Sequence, residues 1–393
     1  MQTQIILKRG RHPRILNGHP WIYGNEIEKV KGENDNASGS IVDVVESNGK
    51  FIGRGYFNPK SQIAVRLLTR NREEEIEEDF FRRKILSCYD YRKKMGYTEN
   101  FRLVFSEGDF LPALIIDKFK DVFVMQTLAL GIDRWKESII SVLKKEFSPG
   151  GIYERNDVPV RKLEGLEEQT GFLSDEFPTK FEIEECGIKF QIDVANGQKT
   201  GFFLDQKENR LALQNISAGA EVLDCFCYTG SFSLFAAKFG AKSVTALDVS
   251  EEAIQQAKTN SILNGFESVC DFQSANAFDV LPQMVKEKKS FDIVILDPPA
   301  FTKSRSQVGS AARGYKEINL RAMKLIRPGG FLLTFSCSYF MDQSSFFNVV
   351  SEAANDAHRI VRQVAFLSQS KDHPIVWNIP ETNYLKGFLL EVI

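Results

Sequence analysis

At 393 residues the chain exceeds what one ordinary hydrophobic core organises, so two or three domains are expected; its 43% apolar and 26% charged content is that of a soluble globular protein. The start, MQTQIILKRGRHP, lacks the apolar core of a signal peptide, and no apolar run reaches membrane-spanning length, which points to the cytoplasm. Six cysteines without a CxxC pair and only four histidines offer no recognisable zinc site or disulfide framework, so metal catalysis and a histidine triad are poor candidates.

Net charge is −2, which argues against a generic nucleic-acid coat, yet the charge is unevenly spread. Residues 1–70 carry eleven Lys and Arg against six Asp and Glu, making this stretch +5 and the remainder −7. A basic module joined to a mildly acidic catalytic portion suits an enzyme that reads RNA; a solvated basic face without a partner is the alternative. From Ile5 to Arg70, short strands in IILKRG, HPWIYGNEI, IVDVVESNGKFIGRGYF and IAVRLLT are punctuated by glycines, which predicts a small β-barrel with a hairpin turn at Asn48-Gly49. Lys8, Arg9, Arg11 and Arg14 lie near Trp21 and Tyr23, a mixture that fits phosphates and stacked bases, although core packing explains the two rings equally well.

The acidic run NREEEIEED, residues 71–79, marks a boundary and opens a helix through about Gly96. Beyond it, strands with turns at Gly108 and Lys120, a helix from Asp133 to Phe147, and strands in GIYERND and FEIEECGIKFQIDV form an α+β region with no evident chemistry. The segment Ala195 to Arg210, ANGQKTGFFLDQKENR, differs. Its polar Asn196, Lys199 and Thr200 stand beside Phe202, Asp205 and Gln206, a set able to pack and hydrogen-bond an adenosyl or methionyl group.

Residues 221–249, EVLDCFCYTGSFSLFAAKFGAKSVTALDV, read as strand, tight loop, helix and strand. Val222 to Phe226 has strand length, Tyr228, Thr229 and Gly230 turn the chain, Ser231 is the expected helix cap, and Gly240 is the stop. A second strand ends at Asp248 and Val249. In an open α/β sheet, ligands bind outside the carboxyl ends of the strands, so Asp224, the Gly230 loop and Asp248 are expected at one crevice. An acidic side chain there suits a ribose diol. The loop has only Gly230 in place of a GxGxxG run, which disfavours a pyrophosphate, while Asp224 at the mouth would accept from an amino group. S-adenosylmethionine meets both conditions; a crossover without cofactor is the alternative.

The alternation continues to the end of the chain and predicts a doubly wound sheet of about seven strands, with Asn276 and Ala277 after the third and Asp297, Pro298 and Pro299 after the fourth. Two prolines fix an extended exit and would hold the Asp297 carboxylate toward the crevice, where it can bond a base; a plain strand terminator is the competing account. Cys337 ends the fifth strand, where the apolar run gives way to Ser336 and Ser338. It is either a small core residue or a thiolate able to add to C6 of a pyrimidine, making C5 reactive toward the methyl group of the cofactor.

The motifs DCFCYTGSFSLFA, LDPPAFTKS and FSCS, with NGQKTGFFLDQKENR and HPWIY upstream, resemble the RlmI-like class of 23S ribosomal RNA methyltransferases over essentially the whole chain. The resemblance implies an α/β protein: a PUA-type β-barrel for RNA binding (1–71), a central α+β domain (72–190) and a Rossmann-like class I methyltransferase domain (191–393). It further implies 5-methylcytosine formation in 23S ribosomal RNA, free or in an assembly intermediate, with Cys337 as nucleophile and Asp224, Asp248 and Asp297 as cofactor or base contacts. A homodimer is left open. Ala300 stands where many RNA cytosine-5 methyltransferases carry a second cysteine, so the group that releases the adduct is unassigned. Asn276 stands where many methyltransferases place an acid against the adenine amino group, and its amide oxygen can accept the same bond. A base-nitrogen methyltransferase of the 7-methylguanosine type, sharing the DPP-Phe motif, and a cofactor-retaining RNA-binding protein without catalysis are the competing readings.

Overall fold

The computed structural model describes residues 3–10, 12–32, 38–302 and 305–393. Arg11, one of the expected RNA contacts, lies outside the described residues, as do Lys303 and Ser304 of the LDPPAFTKS motif. The chain divides into two units, one of Met1–Phe181, Ile192–Leu204 and Lys371–Thr382, the other of Glu182–Gln191, Asp205–Ser370 and Asn383–Ile393.

In the first unit, strands β1 (Gln4–Leu7), β2 (Trp21–Ile22), β3 (Ile27–Lys31), β4 (Ser40–Val45), β5 (Phe51–Phe57) and β6 (Val65–Thr69) form a sheet in the order β2-β6-β5-β4-β1-β3. Alternate residues Ile5, Leu7, Val42, Val44, Val65 and Leu67 point inward and make its core. Among the described residues the pairing leaves β2 and β3 as edges, so this is a half-barrel rather than a closed barrel. Asn48-Gly49 does turn the β4–β5 hairpin: Gly49 takes φ of 88°, and the Asn48 side chain accepts from the Lys50 amide at 2.9 Å.

A second sheet of the same unit comprises β7 (Asn100–Phe105), β8 (Leu114–Phe119), β9 (Val122–Thr127), β10 (Gly151–Asn156) and β11 (Gln169–Phe172). Helices Glu78–Lys94 and Lys136–Phe147 share its core through Phe80, Phe81, Ile85, Ile139 and Leu143. Only β9 and β10 are parallel, and the helix Lys136–Phe147 lies between them in sequence, as a parallel crossover requires. A separate hairpin pairs β12 (Lys180–Glu185) with β13 (Ile188–Asp193).

The second unit holds the expected seven-stranded sheet: β14 (Glu221–Cys225), β15 (Ser243–Asp248), β16 (Cys270–Ser274), β17 (Phe291–Leu296), β18 (Ile326–Ser336), β19 (Val361–Ser368) and β20 (Lys386–Val392). Their order is β16-β15-β14-β17-β18-β20-β19, with β20 antiparallel to both neighbours. The order reverses between β14 and β17, the topological switch point where α/β sheets bind ligands. Strand β18 begins at Ile326, which pairs with Phe291 ahead of a register shift. No helix among the described residues is long and apolar enough to cross a membrane.

Candidate active site

The loop after β14 is shaped by backbone conformations that side chains usually avoid. Phe226 and Tyr228 have φ of 67° and 48°, and Gly230 has 84°. Only glycine fits at 230: a Cβ there would stand 2.9 Å from the Phe272 ring and 3.2 Å from Ala257 Cβ. Gly230 itself precedes the helix Ser231–Lys238 as its cap, so the expected capping role of Ser231 is corrected. A serine cap needs extended backbone and a side chain folded over the first turn, whereas the chain here enters left-handed and Ser231 is already helical.

This loop is fastened over the end of β15. The Tyr228 amide donates to Asp248 Oδ2 at 2.9 Å, and the Ser250 amide donates to Oδ1 at 2.9 Å. Each carboxylate oxygen keeps a further acceptor site, the arrangement a ribose diol needs. Beside it Val249 is 67% exposed, an apolar side chain left at a strand end. Asn276 caps the helix Ala277–Lys286, its Oδ1 accepting from the Phe278 amide at 3.0 Å, and Ala277 is buried. One lone pair of that amide oxygen is therefore already engaged.

Asp224 is not at the mouth, as the sequence suggested, but 0% exposed within β14. Strand residues on both faces of this sheet are covered, so a carboxylate in β14 is enclosed. Oδ2 accepts from Ser233 Oγ at 2.6 Å, while Oδ1 is buried without a hydrogen-bond partner among the described residues. Burial pushes this carboxyl up to about 7, and the nearby Asp297 and Asp248 charges add to the rise.

At the ends of the adjacent parallel strands β17 and β18, Asp297 and Cys337 come together. Leu296 pairs with Thr334, and Cys337 Sγ lies 3.8 Å from the carbonyl oxygen of buried Pro298. Cys337 is partly exposed, whereas Cys225 and Cys227 are buried, and burial together with the nearby Asp224 charge pushes their thiols well up. Gln206 donates to Asp297 Oδ1 at 3.0 Å and accepts from Asn209 at 2.6 Å, which holds the Asp297 carboxylate in place. Buried Asp205 accepts from the Tyr384 hydroxyl at 2.5 Å. Further aromatic side chains pack behind this cluster: Phe278, Phe301 and buried Tyr315 form a run of ring contacts at 5.6 and 4.5 Å, and Tyr315 Oη is 2.9 Å from Ser338 Oγ. Their signal was an aromatic at one helix start and one after the proline pair, both readable as core.

The other candidates belong to the first unit. Thr200, buried, donates to Asp117 Oδ2 at 2.5 Å; Phe202 is buried; Lys199 Nζ lies 4.2 Å from the Phe203 ring; and Asn196 donates to Asp193 at 3.0 Å. In the half-barrel Lys8 and Arg9 are exposed. Arg14 instead grips Glu26 through two bonds of 2.8 and 3.0 Å and donates to the Trp21 carbonyl at 2.8 Å. The Trp21 indole donates to Glu107 at 2.8 Å. Arg54 and Arg66 are buried against Asp43 and Glu164, so part of the positive surplus in residues 1–70 is consumed inside the fold.

Comparison with known proteins agrees with this architecture. Residues 5–70 match a PUA-like domain, and residues 164–382 match the S-adenosylmethionine-dependent methyltransferase family. A methyltransferase structure from Streptococcus mutans superimposes with a TM-score of 0.83 at 20% identity, covering 99% of both chains. A second, complexed with S-adenosylhomocysteine, gives 0.84 over 99% of both at 20% identity. Fold and match define an S-adenosylmethionine-dependent methyltransferase that carries a PUA-like domain.

Among curated relatives, the "Ribosomal RNA large subunit methyltransferase I" of Shewanella denitrificans is 44% identical over the full length of both chains, and that of Pseudoalteromonas atlantica is 42% identical. The chain belongs to the ribosomal RNA large subunit methyltransferase I family. The residues present suit the cofactor: the unpartnered Asp224 Oδ1 would be satisfied by the methionyl amino group, and Asp248 has acceptor sites for the ribose.

Proposed function

We propose that this protein methylates C5 of a cytosine in 23S ribosomal RNA, with Cys337 as nucleophile. The observation that carries the reading is the partly exposed Cys337 thiol, 3.8 Å from the Pro298 carbonyl, at the carboxyl end of β18 beside the strand β17 that borders the switch point. Asp224 and Asp248 would hold the cofactor's amino and ribose groups. When bound, the cofactor supplies an electrophilic methyl group on sulfonium sulfur. Asp297 would accept from the exocyclic amino group of the cytosine, or hold a proton at N3, so that electron density displaced by thiolate addition at C6 can be managed at the ring. Addition makes C5 nucleophilic enough to take the methyl group, and loss of H5 with departure of sulfur restores the aromatic ring.

Nucleoside analysis of large-subunit RNA after incubation with enzyme and cofactor tests this directly. 5-Methylcytosine is expected; 7-methylguanosine would instead establish the base-nitrogen reading, and no methylated nucleoside would leave a binding protein. The RNA partner is supported by the family and by the exposed Lys8 and Arg9 of the PUA-like half-barrel.

A further inference from the structure

Strand β20 brings an unforeseen cation to the nucleophile. Lys386 is paired in register with Ser336, the residue before Cys337, and is only 4% exposed. Its Nζ donates to the carbonyl oxygens of Ser338 and Tyr384, each at 2.8 Å. The first of these belongs to the residue after Cys337, and the Lys386 backbone pairs with the residue before it, so the ammonium is tethered to the segment that carries the sulfur. Among the described residues both acceptors are neutral, and an ammonium has three N–H donors. A buried cation without a bonded anion is costly, and a thiolate beside it would offset that cost.

We propose that Lys386 is a positioning residue for the methyl-transfer reaction: its ammonium holds Cys337 as the thiolate before addition to C6 and takes up the same thiolate when it leaves. The proposal rests on the cytosine-C5 reading above. Cys337 releases its proton to solvent, and the sulfur lone pair forms the S–C6 bond as the C5–C6 π pair moves to C5. C5 then takes the methyl group, leaving S-adenosylhomocysteine. A base removes H5, and the S–C6 pair returns to sulfur, again opposite the ammonium. Other ionisable groups face this pair: Tyr315 from the helix Val308–Leu325, Asp342 at the start of the helix Gln343–Ala357, and Asp297 after β17. Burial lowers Lys386 to about 8, opposed by Cys337 and Asp342, so it is mainly charged at neutral pH.

The test is the pH dependence of iodoacetamide alkylation at Cys337, followed by peptide mass spectrometry on the full chain, with exposed Cys186 as internal reference. In the wild type, Cys337 is expected to ionise below the ordinary cysteine value of about 8.5, and further still below Cys186, whose thiol is itself pushed up by burial and the Glu185 charge. Lys386→Met should raise the Cys337 midpoint by roughly one pH unit or more, leaving Cys186 in place, and Lys386→Arg should restore it. An unmoved Cys337 midpoint in folded Lys386→Met overturns the proposal. Should that variant not fold, a wild-type Cys337 midpoint at or above about 8.5, the ordinary cysteine value, overturns it equally. Because alkylation needs no RNA, a product other than 5-methylcytosine would refute the cytosine reading while this titration still reports on the ion pair.

Discussion

The hydroxyl of Ser233 donates to Asp224 at 2.6 Å and leaves the second oxygen of that buried carboxylate without a partner among the described residues. The carboxyl lies near 7, far above an ordinary aspartate, so its charge changes in the neutral range. A raised acid favours the fold most when protonated: that contribution is present below the ordinary value and is lost as pH rises through about 7. Asp224→Asn should therefore melt close to the wild type below about pH 4, the ordinary aspartate value, and increasingly above it as pH rises from there to about 7, beyond which the gap stays constant. Cofactor affinity should show the opposite trend in the wild type, rising as the carboxylate forms. Differential scanning calorimetry and titration calorimetry at several pH values check both; a pH-independent difference in melting would remove the buried carboxyl from the account.

Asp248 anchors the Tyr228 and Ser250 amides at 2.9 Å each and faces the proposed ribose site. Asp248→Ala should weaken S-adenosylmethionine binding by roughly 1.5 to 3 kcal/mol, the range for charge-assisted hydrogen bonds. Equal affinity by calorimetry would show that the ribose is held elsewhere.

RNA docking separates the basic residues by what they already touch. Replacing exposed Lys8 and Arg9 by Gln should reduce the slope of log affinity against log salt by about 1 to 2, as for two lost phosphate contacts, without altering cofactor binding. Arg14→Gln should lower the melting temperature instead, because Arg14 is spent on Glu26 and the Trp21 carbonyl. A large fall in salt slope from Arg14→Gln alone would reverse this division.

Cys337→Ala should abolish methyl transfer while RNA and cofactor binding persist, since C5 of cytosine is too weak a nucleophile without addition at C6. With RNA carrying 5-fluorocytosine at the target, fluorine cannot leave as H5 does, and a covalent protein–RNA species should accumulate. It should vanish in Cys337→Ala and persist in Cys225→Ala and Cys227→Ala, whose thiols are buried. Full activity of Cys337→Ala would eliminate the thiolate route.

The βα alternation of the second unit was legible in the sequence because buried parallel strands read as short apolar runs between turn residues. The same rule made Asp248, Asp297 and Cys337 legible as a set, since the carboxyl ends of parallel strands share one edge of the sheet. Tertiary structure alone decided the rest, because charge pairing and enclosure depend on residues remote in the chain. Arg66 meets Glu164, and Lys386 meets the Ser338 carbonyl, through register and packing that no local pattern encodes. Asp224 looked like a mouth residue until the cover on both sheet faces enclosed it, and Ser231 looked like a cap until left-handed Gly230 took that place. Segments 192–204 and 371–382 cluster with the N-terminal unit, where Thr200 donates to Asp117 and Asp372 accepts from the Arg102 amide. Local periodicity determines which element a stretch becomes, while the partner of each buried charge is set only when distant strands pack together.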